Sequence, residues 1–153
     1  MKIIQEFIDK GLIKKDDHID SSQVRSVLEK SQRSIKSARL LIDDDQESSY
    51  QLAYEAMLLA GRALVFSFGF RPRAAGSHKI VVDFSKKVLG KEIATLVFKF
   101  NKMRKIRHYL IYGSGLSISE VDSRNAISSA AKFLKDVENF INDKNLRGKL
   151  KLQ

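Results

Sequence analysis

The chain has 153 residues, of which 43% are hydrophobic and 30% charged, a size and balance typical of one globular domain. It contains no cysteine, which excludes a disulfide framework and favours a reducing, cytoplasmic setting. The N-terminal stretch has no long apolar segment and no small-residue cleavage site, so we expect no signal peptide. The longest apolar run, 56–64, is interrupted by Gly61 and Arg62 and is too short to span a bilayer.

The net charge of +10 is concentrated in one part of the chain. Residues 71–107 hold eleven lysines and arginines against only Asp83 and Glu92, and the C-terminal stretch KNLRGKLKLQ adds four more basic residues. Such an excess favours an anionic partner: nucleic acid, a nucleotide or an acidic protein. A lysine-rich surface that serves solubility is the other interpretation, and charge alone does not separate the two.

The first half of the chain shows helical spacing of apolar residues and almost no alternating strand pattern. A short helix is predicted over 2–10. Ser21 or Ser22 is predicted to cap a second, long helix that ends near Leu41. The acidic stretch DDDQE, residues 43–47, is the predicted connector to the next helix.

The third helix, predicted over 49–68, is apolar almost all round, which is typical of a helix at the centre of a bundle. Glu55 and Arg62 are its only charged residues, and at seven residues apart they lie on nearly the same side. They either mark a narrow solvated face or face a polar site. A glycine-rich loop, GFRPRAAGSH over 69–78, follows this helix.

Three further helices are predicted in the second half. Ser77 is the predicted N-cap of a fourth helix over 78–89, and a fifth helix covers 91–112. Ser119 is predicted to open the last helix, which ends near Asp143.

These elements predict an all-α, up-and-down bundle of four long helices plus one or two short ones. We expect a single domain over 1–153 with its core in 21–143. The polar segments 14–20 and 144–153 are predicted to be mobile.

Charged residues lie at the end of the fifth helix, in the stretch NKMRKIRHYLIYGSG over 101–115. They continue a helix face that is apolar, and therefore expected to be buried, earlier in the same helix. At roughly 100° per residue, the apolar stripe of this helix continues onto Arg104, Arg107 and Ile111. An arginine stays ionised in a core and therefore needs a partner. That partner is a carboxylate such as Glu55, a second subunit or a bound phosphate, unless the helix end leaves the bundle and the arginines are exposed.

His108 and Tyr112 lie progressively off the flank of the same stripe. A histidine transfers protons near neutral pH, and a tyrosine orients a phosphate or stacks on a base. Two arginines, a histidine and a tyrosine within nine residues therefore indicate a binding or catalytic cluster. The three histidines are widely spaced and no cysteine is present, so we predict no metal site and no cofactor.

Over most of its length the chain resembles the HEPN family, the higher eukaryotes and prokaryotes nucleotide-binding domain. The resemblance rests on the all-α layout, the helix SSYQLAYEAMLLAGRALVFSFGFRP, the glycine-ended loop leading to His78 and the arginine-bearing helix end. It implies a small helical bundle, commonly a homodimer, often encoded beside a minimal nucleotidyltransferase in a toxin–antitoxin pair. Many members are metal-independent ribonucleases with a motif of Arg, four residues and His.

In that motif Arg107 takes the place of the arginine, and His108 falls on the polar position that follows it. The motif histidine falls on Tyr112, so the usual acid/base group is missing. The resemblance implies Arg107, His108 and Tyr112 as the catalytic group. The residues expected to bind RNA or nucleotide are Arg104, Arg62, Arg71, Arg73, His78 and Lys105, supported by Tyr54 and Glu55.

Three functions are left open by the sequence. In the first, His108 replaces the missing histidine, and the protein cleaves RNA with the RNA's own 2′-hydroxyl as nucleophile. In the second, the protein binds RNA, a nucleotide or an acidic nucleotidyltransferase partner without catalysis. In the third, a helical dimer buries arginines that pair with Glu55 and have no chemical role.

Overall fold

The computed structural model describes residues 2–113 and 115–152, with side chains described as far as residue 145. This part of the chain forms six α-helices and one small sheet, which confirms the prediction of an all-α bundle. The helices are α1 (Gln5–Asp9), α2 (Ser21–Leu41), α3 (Gln46–Ser67), α4 (Ser77–Leu89), α5 (Ala94–Tyr112) and α6 (Glu120–Leu152), and the strands are β1 (Ile13–Lys15) and β2 (Phe70–Pro72).

The helix at the centre of the bundle is α3, which packs against α2, α4, α5 and α6. This helix is apolar on nearly all sides and therefore requires the central position, because exposing any of its faces to water would cost hydrophobic free energy. Two buried serines tie it to α2: Ser31 donates to the carbonyl of Ala56, and Ser49 donates to the carbonyl of Ala38, both at 2.7 Å. Small side chains let the two helices approach closely while each hydroxyl keeps a partner.

The starts of α2 and α3 differ from the prediction. Asp20, not Ser21 or Ser22, caps α2: its carboxylate accepts from the Gln23 N–H at 3.0 Å, and the Gln23 side chain accepts from the Asp20 N–H at 3.2 Å. This capping box gives a partner to two backbone N–H groups at the start of the helix, which a cap one residue later would not do. Asp45 caps α3 without the reciprocal bond: its carboxylate accepts from the Ser48 N–H at 3.0 Å, so α3 begins inside the predicted connector.

The starts of α4 and α5 are also displaced. Ser77 is the first residue of α4 rather than its cap, and Gly76 precedes it with a φ of +69°, a conformation that favours glycine. The predicted fifth helix begins with a 3₁₀ turn over Lys91–Ile93, and the α-helix starts at Ala94.

The last helix opens as predicted and runs further than predicted. Asp122 N–H donates to the Ser119 hydroxyl at 3.0 Å. At the other end α6 continues past Asp143 to Leu152, although Gln153 lies outside the described residues. Within this extension the Nζ of Lys144 donates to the carbonyl of Ser67 at 3.0 Å, which connects α6 to the C-terminus of α3.

The sequence shows almost no strand pattern, and the structure contains one small sheet that was not predicted. Residues 13–15 pair antiparallel with residues 70–72, with Ile13 opposite Pro72 and Lys15 opposite Phe70. The segment 14–20, predicted to be mobile, and the loop 69–78 therefore each contribute to a sheet. Strands of three residues are too short to show an alternating pattern in the sequence.

None of the helices in the described ranges is long and apolar enough to cross a membrane.

Candidate functional site

Tyr54 is fully buried at the place where α3, α4 and α5 meet. Its hydroxyl lies 3.0 Å from Nδ1 of His78 in the first turn of α4, and the tautomer of the imidazole sets which group donates. Its ring packs against Phe100 of α5, with 5.8 Å between the ring centroids. A buried phenol requires a polar partner, and His78 supplies it, so three helices position one Tyr54–His78 pair.

Three arginines lie near this pair and are called the arginine cluster below: Arg62 of α3, and Arg104 and Arg107 of α5. Each is half-buried. The guanidinium carbon of Arg107 lies 6.0 Å from the centroid of the Tyr54 ring, at the outer limit of a cation–π contact. All three arginines act electrostatically on both members of the Tyr54–His78 pair.

The Tyr54–His78 pair is uncharged at neutral pH. Burial raises the pKa of Tyr54 far above the ordinary value, and the positive charges of Arg107 and Arg104 oppose that rise only in part. Burial lowers the pKa of His78, and the charges of the arginine cluster lower it further. The pair therefore offers neutral hydrogen-bonding groups and leaves the positive charge of the cluster uncompensated.

No carboxylate of the described side chains lies within 4.0 Å of a nitrogen of the arginine cluster. The ion pairs among these side chains all join other residues. Glu55 is half-buried beside Tyr54 but does not form the ion pair considered from the sequence. Arg104 instead donates its Nε to the side-chain oxygen of Asn101 at 3.1 Å, a neutral partner. Three half-buried cations without a carboxylate partner favour the binding of an anion.

His108 and Tyr112 lie at the exposed end of α5. Both side chains are exposed, Tyr112 to 74%, and their rings contact each other with centroids 4.8 Å apart. The residues expected to form one catalytic group are thus divided by burial, with Arg107 over the Tyr54 ring and the other two in solvent.

The other residues that were expected from the sequence to bind RNA or nucleotide lie away from the arginine cluster. Arg71 forms an ion pair with Asp16 at 2.9 Å, beside the small sheet. Arg73 donates its Nε to the carbonyl of Ala75 at 3.0 Å, within its own loop. Lys105 is exposed on α5.

The hydrogen bond between Tyr54 and His78 was missed from the sequence. Both residues were named there, but as separate members of a wider group. The signal was a tyrosine on an otherwise apolar helix, whose hydroxyl needs a partner from a neighbouring element. Among the described residues, no three His, Cys, Asp or Glu side chains are grouped as a metal ion would need.

The fold and this site define a class of small, all-α protein that carries a half-buried basic cluster beside an uncharged tyrosine–histidine pair. The family model of the HEPN domain matches residues 24–140, from α2 into α6. The chain belongs to the HEPN domain family, as its sequence resemblance indicated, and this places it among helical proteins concerned with nucleotides or RNA. No curated protein sequence is significantly similar to the chain.

We expect the stability of the protein to fall on the acid side because of His78. Its pKa is lower in the folded chain than the 6.5 of an unperturbed histidine, so below pH 6.5 the unfolded chain binds more protons than the folded one. The contribution of His78 is complete above pH 6.5 and is lost as the pH falls toward its folded pKa. Urea unfolding between neutral and mildly acidic pH measures it. His78→Gln should flatten this dependence, and an unchanged pH dependence in this variant would contradict the role of His78.

Proposed function

We propose that this HEPN domain binds the phosphate groups of RNA or of a nucleotide at the arginine cluster. Arg107 makes the principal contact, and Arg104 and Arg62 hold neighbouring phosphate oxygens. The observation that carries the proposal is half-buried Arg107 beside the neutral Tyr54–His78 pair, with half-buried Arg104 and Arg62 near enough to lower the pKa of His78. None of the three arginines has a carboxylate of the described side chains within 4.0 Å.

Three physical arguments support a phosphate as the ligand. Like charges held close together in a partly buried site repel each other, and a bound anion relieves that repulsion. The guanidinium is a planar fork of donors that matches a phosphate or carboxylate in two parallel hydrogen bonds. The basic segment 71–107 adds long-range attraction for a polyanion.

Arg107→Ala is expected to weaken binding of a short labelled RNA or of ATP by about 10- to 100-fold. This range corresponds to about 1.5–3 kcal/mol for a hydrogen bond to a charged group. Fluorescence anisotropy at constant ionic strength measures the RNA affinity, and calorimetry measures the ATP affinity. Arg107→Lys keeps the charge but loses the planar guanidinium, so its affinity should lie between those of the unsubstituted protein and of Arg107→Ala.

Arg71→Ala is the matched control, because it removes the same charge from an arginine already paired with Asp16. If it weakens binding as much as Arg107→Ala does, net charge explains the affinity, and the arginine cluster is not the site.

A second candidate function is metal-independent cleavage of RNA. The neutral imidazole of His78 beside the arginine cluster favours it, because a general base must be uncharged before it takes the proton of a hydroxyl group. The proton of the RNA 2′-hydroxyl would pass to a histidine, and the 2′-oxygen would bond to the adjacent phosphorus. The bond to the 5′-oxygen would break, and that oxygen would take a proton from water. The other candidate for the histidine is His108, assisted by Tyr112.

Incubation of a mixed tRNA and mRNA pool with purified protein in EDTA tests this candidate. Loss of cleavage in His78→Gln alone assigns the proton transfer to His78, and loss in His108→Gln alone assigns it to His108. Binding without cleavage in the unsubstituted protein leaves phosphate binding as the function.

The family also suggests partners and a setting. We propose a cytoplasmic homodimer that acts with a minimal nucleotidyltransferase, as in toxin–antitoxin pairs. Sedimentation of the purified chain, alone and with a nucleotidyltransferase encoded beside it, tests both proposals.

A further inference from the structure

The exposed aromatic side chains of this protein are confined to one helix. Its nine phenylalanines and four tyrosines all lie in the part of the chain whose side chains are described. Only Phe98, Tyr109 and Tyr112 among them are exposed, to 70%, 52% and 74%, and all three belong to α5. Exposed apolar side chains that are grouped on one element, rather than scattered singly, mark an interaction site.

The three aromatic residues share one face of α5 with two lysines. Phe98, Lys102, Lys105, Tyr109 and Tyr112 follow each other at intervals of three or four residues, and all five are exposed. At roughly 100° per residue they fall within about 40° of a single line along the helix. This aromatic–lysine stripe is about 20 Å long at a rise of 1.5 Å per residue.

The stripe and the arginine cluster lie on different sides of α5. Phe100 and Met103, which are buried, and Arg107, which contacts the Tyr54 ring, face the other helices. The stripe faces solvent. A ligand on the stripe is therefore separate from a phosphate bound at the arginine cluster.

The charge of α5 restricts what can cover the stripe. The sequence of α5, ATLVFKFNKMRKIRHYLIY, contains lysines, arginines and a histidine but no aspartate or glutamate. A second copy of the chain on this face would add a second helix of the same positive charge, with no carboxylate of α5 to balance it. A polyanion has the complementary charge.

The aromatic side chains narrow the choice among polyanions. Proteins that hold single-stranded nucleic acid without reading its sequence combine lysines along the backbone with aromatic rings on which bases stack. A duplex keeps its bases stacked on each other and offers no such faces. A hollow of about 300 Å³ adjoins the stripe and is lined by Lys105 and Tyr109 of the stripe together with Ile106, Gly115 and Leu116.

We propose that the aromatic–lysine stripe of α5 is a docking surface for single-stranded nucleic acid. Bases stack on Phe98, Tyr109 and Tyr112, and Lys102 and Lys105 contact the phosphates between them. The inference does not require the arginine cluster to bind phosphate, because the two surfaces use different residues.

Binding of a short labelled oligouridine, measured by fluorescence anisotropy, tests the proposal. Phe98→Ala and Tyr109→Ala should each weaken binding by about tenfold, the usual effect of losing one stacked base. Tyr109→Phe should retain the affinity, because the ring is kept. Lys102→Ala and Lys105→Ala should each reduce the slope of log affinity against log salt by about 0.7.

Three controls make the result specific. Leu40→Ala, at a side chain 72% exposed on α2, should leave the affinity unchanged. Binding of an RNA duplex should be insensitive to the aromatic substitutions. The fold-change caused by Tyr109→Ala should be the same in the Arg107→Ala background, whether or not Arg107→Ala itself weakens binding. An oligothymidine of equal length shows whether the stripe prefers RNA.

Wild-type affinity for oligouridine in both aromatic variants overturns the proposal. An equal loss on single strands and on duplex also overturns it, because phosphate contacts alone would explain the result. If the aromatic substitutions instead abolish self-association in sedimentation and leave RNA binding intact, the stripe is an interface between copies of the chain.

Discussion

Phe100→Ala is expected to lower the free energy of unfolding by about 3–5 kcal/mol, the usual cost of removing a buried phenylalanine ring. Phe100 is fully buried, and its ring centroid lies 5.2 Å from that of Phe133 and 5.8 Å from that of Tyr54. Loss of the ring leaves a cavity among α3, α5 and α6. It also removes the surface against which the Tyr54–His78 pair rests. Urea unfolding followed by circular dichroism measures the change.

Phe98→Ala is the matched control for Phe100→Ala, two residues earlier on the same helix. Phe98 is 70% exposed, so its removal should change the free energy of unfolding by about 0.5 kcal/mol or less. Equal costs at the two positions would contradict the orientation of α5 and, with it, the positions of both surfaces described for that helix.

Gly61→Ala is expected to destabilise the protein, although alanine is the better helix former. The gain in helix propensity is about 1 kcal/mol. Against it, a Cβ on Gly61 would overlap Cγ1 of Val81 on α4 and lie 3.3 Å from the hydroxyl of Ser85. A buried valine in a helix has essentially one side-chain conformation, so α3 and α4 must separate. We expect a net loss of about 1–2 kcal/mol in denaturant unfolding.

A double substitution tests the cause of that loss. In a Val81→Ala background the obstructing methyl group is gone, and Gly61→Ala should then be neutral or stabilising. If the loss persists unchanged in this background, overlap with Val81 is not its origin. Because Val81 and His78 share α4, a shift of that helix should also disturb the Tyr54–His78 pair.

The elements with long periodic patterns were predicted well, and the errors fell at their ends. A helix end depends on which side chain reaches the free N–H groups, and Asp20, Ser21 and Ser22 are all suitable by type. Only the geometry shows that the carboxylate of Asp20 makes the reciprocal bond with Gln23. The sheet was missed because its pairing joins residues 13–15 to 70–72, and its stability depends on that distant partner rather than on local pattern.

The candidate site was predictable as a list of residues but not as an arrangement. The helical wheel turned Arg104 and Arg107 toward the other helices, and both are half-buried. The same reasoning grouped His108 and Tyr112 with them, and their exposure separates them from the cluster. Adjacency along a helix does not imply a shared environment, because neighbours differ by about 100° in direction.

By itself, the sequence determined the helical class, the order of the long helices, the excess of positive charge and the family. The first three follow from composition and from short-range periodicity, which are local, and the family follows from the resemblance of particular sequence segments to the HEPN domain. Only the tertiary structure decided that His78 bonds to Tyr54, that the arginine cluster has no carboxylate partner among the described side chains, and that three aromatic rings share one exposed face of α5. Each of these depends on how the helices pack, because burial decides which side chains need a partner and which side chains meet a ligand.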